Sequence, residues 1–403
     1  MAKVILHCDC DSFYASVEET IHPEYREAPM AVAGDPKSRR GIILAKNGLA
    51  KACGVRTAET IHEAMRKCPN LTLAPPRHHL YREFCERINA VYAQYTDQVE
   101  RFSIDESWLD VTGSLRLFGD DPVRLADEIR KRVRQETDVT ISVGVSFNKF
   151  FAKMGSGMNK PDGTFLITYE NYRDILWPLP VGEMFGIGRR TAEALNRSGI
   201  YTIGDLAATD ETALTRLFGK MGAQLHRHAN GLDDSPVTRI GDEEPPKSIG
   251  NGLTFKRDLK TARDIRTGII ALSDTVARRL RKSGLKCTTV QVTIKDTDLK
   301  TIQRQKAAPH PTHLAEELTE TAMAIITDSW PAGKPIRMLT VTAQNLVPET
   351  AAAEQLSLFD EDSAAKTEKA EKIEKTMDAI RGKYGARSIQ PGVILKNDLG
   401  IDE

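Results

Sequence analysis

Five carboxylates fall into two short stretches of the chain, Asp9 and Asp11 in the first and Asp105, Glu106 and Asp110 in the second. If those stretches pair as strands, Asp9, Asp105 and Glu106 converge at one sheet edge. Oxygen donors of this kind suit hard divalent cations. Two such ions a few Å apart stabilise both the attacking and the leaving oxygen of an in-line phosphoryl displacement. Each carboxylate also has an ordinary reading, because a strand-end Asp commonly caps a helix or a turn. Asp11, beside Ser12, is expected to cap the following helix, and Asp110 to be a hairpin or surface acid. Spacing alone leaves the metal site open.

The elements that must position these groups can be read from apolar periodicity. Val4–Cys8 is a short buried strand, followed by a helix over Ser12–Thr20 with Phe13, Val17 and Ile21 at helical spacing. Val99–Ile104 and Trp108–Val111 read as strands around a tight turn at Asp105–Glu106, and Thr140–Val145 as a further strand. Asn148–Asn159 looks helical and ends at the turn signal Lys160-Pro161-Asp162-Gly163. This mixture implies an α+β domain. Residues 166–232 read as small helices punctuated by glycines, and 233–246 has linker composition. A second α/β unit follows, with a basic helix over Ala262–Lys282, a strand at Thr288–Lys295, a helix over Thr312–Asp328 and a strand at Arg337–Ala343. From Pro348 the chain is rich in Ala, Glu, Asp, Ser and Lys and is expected to be flexible. Lys366–Arg381 has the composition of a charged helix.

The 403 residues carry 56 basic and 56 acidic side chains, so the formal net charge is zero. The balance is local, however: residues 245–345 hold 17 basic against 9 acidic residues. That surplus is either a solvated face or a phosphate-binding surface, since Lys and Arg supply most sequence-independent affinity for DNA. Six cysteines lie scattered without a Cys-x-x-Cys pair, which fits reduced thiols rather than zinc. No apolar run approaches the ~20 residues of a membrane span. A soluble, cytoplasmic protein is expected.

Three motifs go further. Asp9-Cys10-Asp11-Ser12-Phe13-Tyr14-Ala15-Ser16-Val17-Glu18, Phe102-Ser103-Ile104-Asp105-Glu106-Ser107-Trp108-Leu109-Asp110, and Val143–Lys149 continuing through Lys153 to Met158-Asn159-Lys160-Pro161-Asp162-Gly163 resemble, in order and spacing, the motifs of Y-family (translesion) DNA polymerases of bacteria. The likeness runs from residue 1 to about 345. It implies a right-hand fold: a ferredoxin-like palm over 1–165 with small fingers inserted at about 11–76, a thumb over 166–232, a linker at 233–246 and an α/β little finger over 247–345. It implies error-prone, template-directed DNA synthesis by two-metal nucleotidyl transfer, without proofreading, in DNA damage tolerance.

The resemblance also implies roles. Asp9, Asp105 and Glu106 would ligate two Mg2+ ions, with Mn2+ as an alternative, and the backbone carbonyl of Cys10 would complete one shell. Tyr14 would be the steric gate against a 2′-hydroxyl. Phe13, Lys51 and Lys160 would face the incoming nucleotide. Many relatives carry Tyr and Arg where this chain has Gly48 and Lys51; Lys51 keeps the charge but loses the bidentate fork. Lys46 and Arg56 read as solvated. Phe185-Gly186-Ile187-Gly188 followed by a helix resembles a helix-hairpin-helix, whose Gly186 and Gly188 would let backbone N–H groups approach a DNA phosphate. Lys247, Ser248 and Arg337 are the expected backbone contacts of the little finger. In the tail, 346–403, Gln355-Leu356-Ser357-Leu358-Phe359 looks like a sliding-clamp-binding pentapeptide. A monomer working on primer-template DNA and deoxynucleoside triphosphates, near the nucleoid, is the partner set implied.

Overall fold

The computed structural model describes residues 3–35, 41–351, 361–395 and 397–401. The chain forms two compact units, one of residues 1–36 and 41–243, the other built mainly from residues 244–403.

In the first unit, strand β1 (Ile5–Cys10) runs into the helix Phe13–Ile21. A small sheet follows, in which β2 (Met30–Ala33) lies between β3 (Ile43–Lys46) and β4 (Thr72–Ala74). The chain returns through the helix His78–Tyr92 to β5 (Val99–Arg101) and β6 (Glu106–Asp110). The helix Pro122–Thr137, β7 (Ile141–Ser146), the helix Lys149–Ser156 and β8 (Thr164–Leu166) complete the region. The main sheet has the order β5-β6-β1-β7-β8.

Side chains alternate across a strand, so β1 sends Leu6, Cys8 and Cys10 to one face of the sheet and His7 and Asp9 to the other. The first face packs beneath the helices His78–Tyr92 and Pro122–Thr137 through Ile88, Val91, Ile129 and Val133. The helix Lys149–Ser156 covers the second face, and its approach depends on Gly144. A Cβ there would stand 1.9 Å from the Ala152 carbonyl oxygen.

The thumb helices, including Arg189–Arg197, Ile203–Ala208 and Lys220–Ala229, close around Leu195, Leu206 and Leu225. The stretch with linker composition does not leave the unit at once. Val237, 2% exposed, is buried against Ile5, Trp108 and Ala152. The backbone N–H of Thr238 donates to Glu100 at 2.9 Å. The N–H of Ile240 donates to the Asp97 carbonyl at 3.0 Å, so one buried valine and backbone hydrogen bonds hold the stretch to the sheet.

The second unit is an antiparallel sheet of β9 (Ser248–Leu259), β10 (Leu285–Lys295), β11 (Thr301–Thr312) and β12 (Ile336–Pro348), in the order β11-β10-β12-β9. The helices Ala262–Lys282 and Ala315–Ser329 bury Leu272, Val276, Ala322 and Ile325 against Val290, Val292, Leu339 and Val341. Periodicity finds both helices and the two central strands. It misses β9 and β11, which are the edges. β11 is mostly exposed and carries Pro309 and Pro311, residues that a sheet tolerates only at an edge.

The tail carries the charged helix that its composition suggests at Lys366–Arg381, but the helix is docked rather than flexible. A 24-residue helix, Glu361–Tyr384, follows β12 and docks on this unit. The side chain of Arg281, 5% exposed, binds Glu374 and lies 2.7 Å from Asp378. Arg381 reaches Asp274 at 2.9 Å. Beyond the helix, Leu399 is buried in the unit's core, and its carbonyl accepts from the N–H of Lys256 at 2.9 Å. Acidic, low-hydropathy composition resembles that of a disordered segment. Here it complements the basic helix, and part of the positive surplus at 245–345 is neutralised within the chain. The pentapeptide 355–359 lies outside the described residues. Among the described residues no helix is long and apolar enough to cross a membrane.

Candidate active site

Asp9 and Glu106 are direct cross-strand partners in the antiparallel pair β1–β6. Opposed residues of such a pair share a face, so both carboxylates project from the same side of the sheet. Asp105 stands one residue earlier, in the turn rather than the strand, and its carbonyl accepts from the N–H of Cys10 at 2.9 Å. Glu106 is therefore not a turn residue, as spacing suggested, but the first residue of β6. The Asp105 carboxylate is steadied by the Ser103 hydroxyl at 2.5 Å.

Lysines face this acidic edge. Lys160 Nζ lies 2.7 Å from Asp9 Oδ1, and Lys153 pairs with Glu106. Burial pushes the Asp9 carboxyl up, and although Lys160 opposes this, it stands at about 6. Burial also raises Glu106, but His7 and Lys153 outweigh it and bring the carboxyl down to about 2. Three carboxylates offering only oxygen, already drawing ammonium groups to their edge, fit hard divalent cations. Lys153 also lies over the rings of Phe102 and Phe185, at 4.7 and 4.9 Å.

Several supporting residues escaped the sequence reading. His7, fully buried, holds Ser156 Oγ at 2.8 Å through Nδ1, while Nε2 lies 3.4 Å from Glu106. That second distance is too long for a well-formed hydrogen bond, and Nε2 has no other partner among the described residues. Burial lowers the His7 pKa. Asp11 does not cap the helix at Ser12, which has no side-chain cap bond. It accepts instead from Thr140 at 2.9 Å, Ser142 at 2.8 Å and the Asp162 N–H at 2.8 Å. Asp11 thus ties down the turn that carries Lys160. Asp110 accepts from the Thr112 N–H at 2.9 Å and stays outside the site.

A groove beside the acids is lined by Asp9, Tyr14, Lys46, Asp105 and Lys160. The Tyr14 ring stacks on Tyr81 with centroids 4.1 Å apart and planes 14° apart. Tyr81 in turn donates to Glu18 at 2.6 Å. Phe13 borders the groove, but its ring is only 3% exposed and belongs to the core. Lys46, read as solvated, lines the groove and donates to Thr57 at 3.0 Å. Burial lowers its pKa, and Lys51 adds to that. Lys51 itself is exposed on the short helix Gly48–Ala52.

In the thumb, Gly186 has φ +87° and Gly188 precedes the helix Arg189–Arg197, both exposed with open space around them. In the second unit, Lys247 and Ser248 are exposed at the start of β9, and Arg337 is half-buried near the start of β12.

Comparison with known proteins agrees across the whole chain. Residues 8–157 match the impB/mucB/samB family, 169–200 the helix-hairpin-helix motif of that family, and 246–358 its C-terminal domain. The chain is 44% identical over 402 residues to DNA polymerase IV of Acetivibrio thermocellus, covering 100% of both. It is 40% identical to DNA polymerase IV of Pelotomaculum thermopropionicum, covering 97% of this chain and 95% of the relative. With DNA polymerase IV 1 of Bacillus subtilis the identity is 36%, covering 98% of this chain and 94% of the relative. A solved Y-family polymerase chimera of Dbh and Dpo4 superposes with a TM-score of 0.76 at 24% identity, covering 86% of this chain and 99% of that one. The chain belongs to the impB/mucB/samB family of Y-family DNA polymerases, of the DNA polymerase IV type.

Proposed function

We propose that Asp9, Asp105 and Glu106 carry the nucleotidyl transfer of this Y-family polymerase, which extends primers on damaged templates without proofreading. The observation that carries the assignment is the register Asp9↔Glu106, which puts two carboxylates on one face beside Asp105.

The family depends on divalent metal, and Mg2+ is the ion proposed here, with Mn2+ as a substitute. When bound, such ions stabilise the attacking 3′-oxygen and the leaving pyrophosphate oxygen. Asp9, Asp105 and Glu106, with the Cys10 carbonyl, would hold them. Lys160 then exchanges its contact with Asp9 for the triphosphate, and Lys46, already in the groove, adds positive charge; Lys51 acts from the exposed side. Tyr14 floors the sugar, held rigid by Tyr81, while Phe13 supports it from the core. The backbone at Gly186 and Gly188 grips a DNA phosphate, and Lys247, Ser248 and Arg337 grip others. The pentapeptide Gln355–Phe359 docks on the bacterial sliding clamp. The working form is a cytoplasmic, nucleoid-associated monomer.

Primer extension with Mg2+ tests the reading. Glu106→Ala should lower the rate by roughly two to three orders of magnitude, the scale of losing one preorganised electrostatic contact to the transition state. DNA affinity should stay near that of wild type. Unimpaired extension would refute the assignment.

A further inference from the structure

Three segments of the second unit meet at His313, Glu349 and Glu371. One ligand atom from each lies within 4.8 Å of the other two. His313 lies between β11 and the helix Ala315–Ser329, Glu349 follows β12, and Glu371 belongs to the docked C-terminal helix. The His313 ring is fully buried, and neither nitrogen makes a hydrogen bond. Glu371 Oε1 lies 3.2 Å from Nε2, near enough for attraction but without hydrogen-bond geometry. An orphaned, buried imidazole aimed between two carboxylates is costly unless something binds it.

Four acids gather here, Glu349, Glu371, Glu374 and Asp378, against the four cations Arg281, Lys286, Lys375 and Arg381. Burial lowers the His313 pKa.

We propose that His313, Glu349 and Glu371 form a divalent transition-metal site of the Zn2+ class, which staples the C-terminal helix to the little finger. One imidazole nitrogen and two carboxylate oxygens suit Zn2+, with water as a fourth ligand. An imidazole-containing set disfavours Mg2+, which takes oxygen donors. A bound ion takes over the Glu371 carboxylate, which Lys286 contacts at 3.3 Å, and joins the three segments. The site is separate from the polymerase chemistry, so its failure leaves that assignment intact.

Titration of the full chain with Zn2+, and with Co2+ as a spectroscopic probe, tests the proposal. An Asp9→Asn/Glu106→Gln background removes binding at the polymerase acids. One Zn2+ per chain should bind there, with a Co2+ spectrum indicating nitrogen ligation, and should raise the thermal midpoint. Glu349→Gln and Glu371→Gln, at partly exposed positions, should each weaken binding roughly tenfold or more, the scale on which even supporting residues of metal sites act. His313→Asn should abolish the nitrogen-ligated spectrum. Absence of stoichiometric Zn2+, affinity unchanged in both glutamine variants, or Mg2+ competing as well as Zn2+ would overturn the site.

Discussion

Single residues here do work their neighbours in sequence do not reveal. Tyr14 and Tyr81 stand 67 positions apart in the chain, yet they stack face to face, so the proposed gate is a braced ring rather than a free one. Tyr14→Ala should admit ribonucleotides, relaxing sugar discrimination by roughly a hundredfold. Single-nucleotide incorporation of matched ribo- and deoxynucleotides measures this, and unchanged discrimination would remove the gate. Asp11 is the second case. It gathers two hydroxyls and one backbone N–H around a buried carboxylate. Asp11→Asn should destabilise the first unit by about 1.5–3 kcal/mol, the worth of hydrogen bonds to a charged group. It should also raise the nucleotide KM by loosening the turn under Lys160. Denaturant unfolding and steady-state kinetics report the two effects separately.

At the scale of elements, apolar periodicity reveals strands and helices buried on one side and passes over those that are not. The helix Ala262–Lys282 is legible because its apolar stripe faces the sheet. Edge strand β11 is not, because most of its side chains meet water and it carries no alternation. The helix Glu361–Tyr384 shows in the charged composition of Lys366–Arg381, but its docking does not, since it is held largely by ion pairs whose partners lie about a hundred residues away, as Asp378 with Arg281. A buried cation deprived of its partners costs about 3–5 kcal/mol. The double variant Glu374→Gln/Asp378→Asn should therefore destabilise the second unit by about that amount, read from its denaturant midpoint. A loss within error would mean the helix contributes little to that unit's stability.

For the whole molecule, the docked helix changes what the tail is. The pentapeptide 355–359 falls between two segments of the second unit, β12 and the helix Glu361–Tyr384. Deleting 355–359 should abolish binding to a sliding clamp while leaving distributive primer extension and the unfolding midpoint as in wild type. Surface plasmon resonance against immobilised clamp measures the first, and retained affinity would refute the clamp reading. The amino-acid sequence by itself singled out Asp9, Asp105 and Glu106, the acids proposed here for catalysis, because the motifs around them lie in short contiguous stretches. It also determined the succession of α+β regions, since one-sided burial leaves its period in the residues. Tertiary structure alone decided that Glu106 opposes Asp9 across β1 and β6, that Asp11 secures the Lys160 turn, and that His7 sits beneath Glu106. The same holds for the acidic tail folding onto a basic helix. In each case the partners are set by strand register or by charge across distant segments. Local periodicity cannot encode these, because each depends on which surfaces the completed fold brings together.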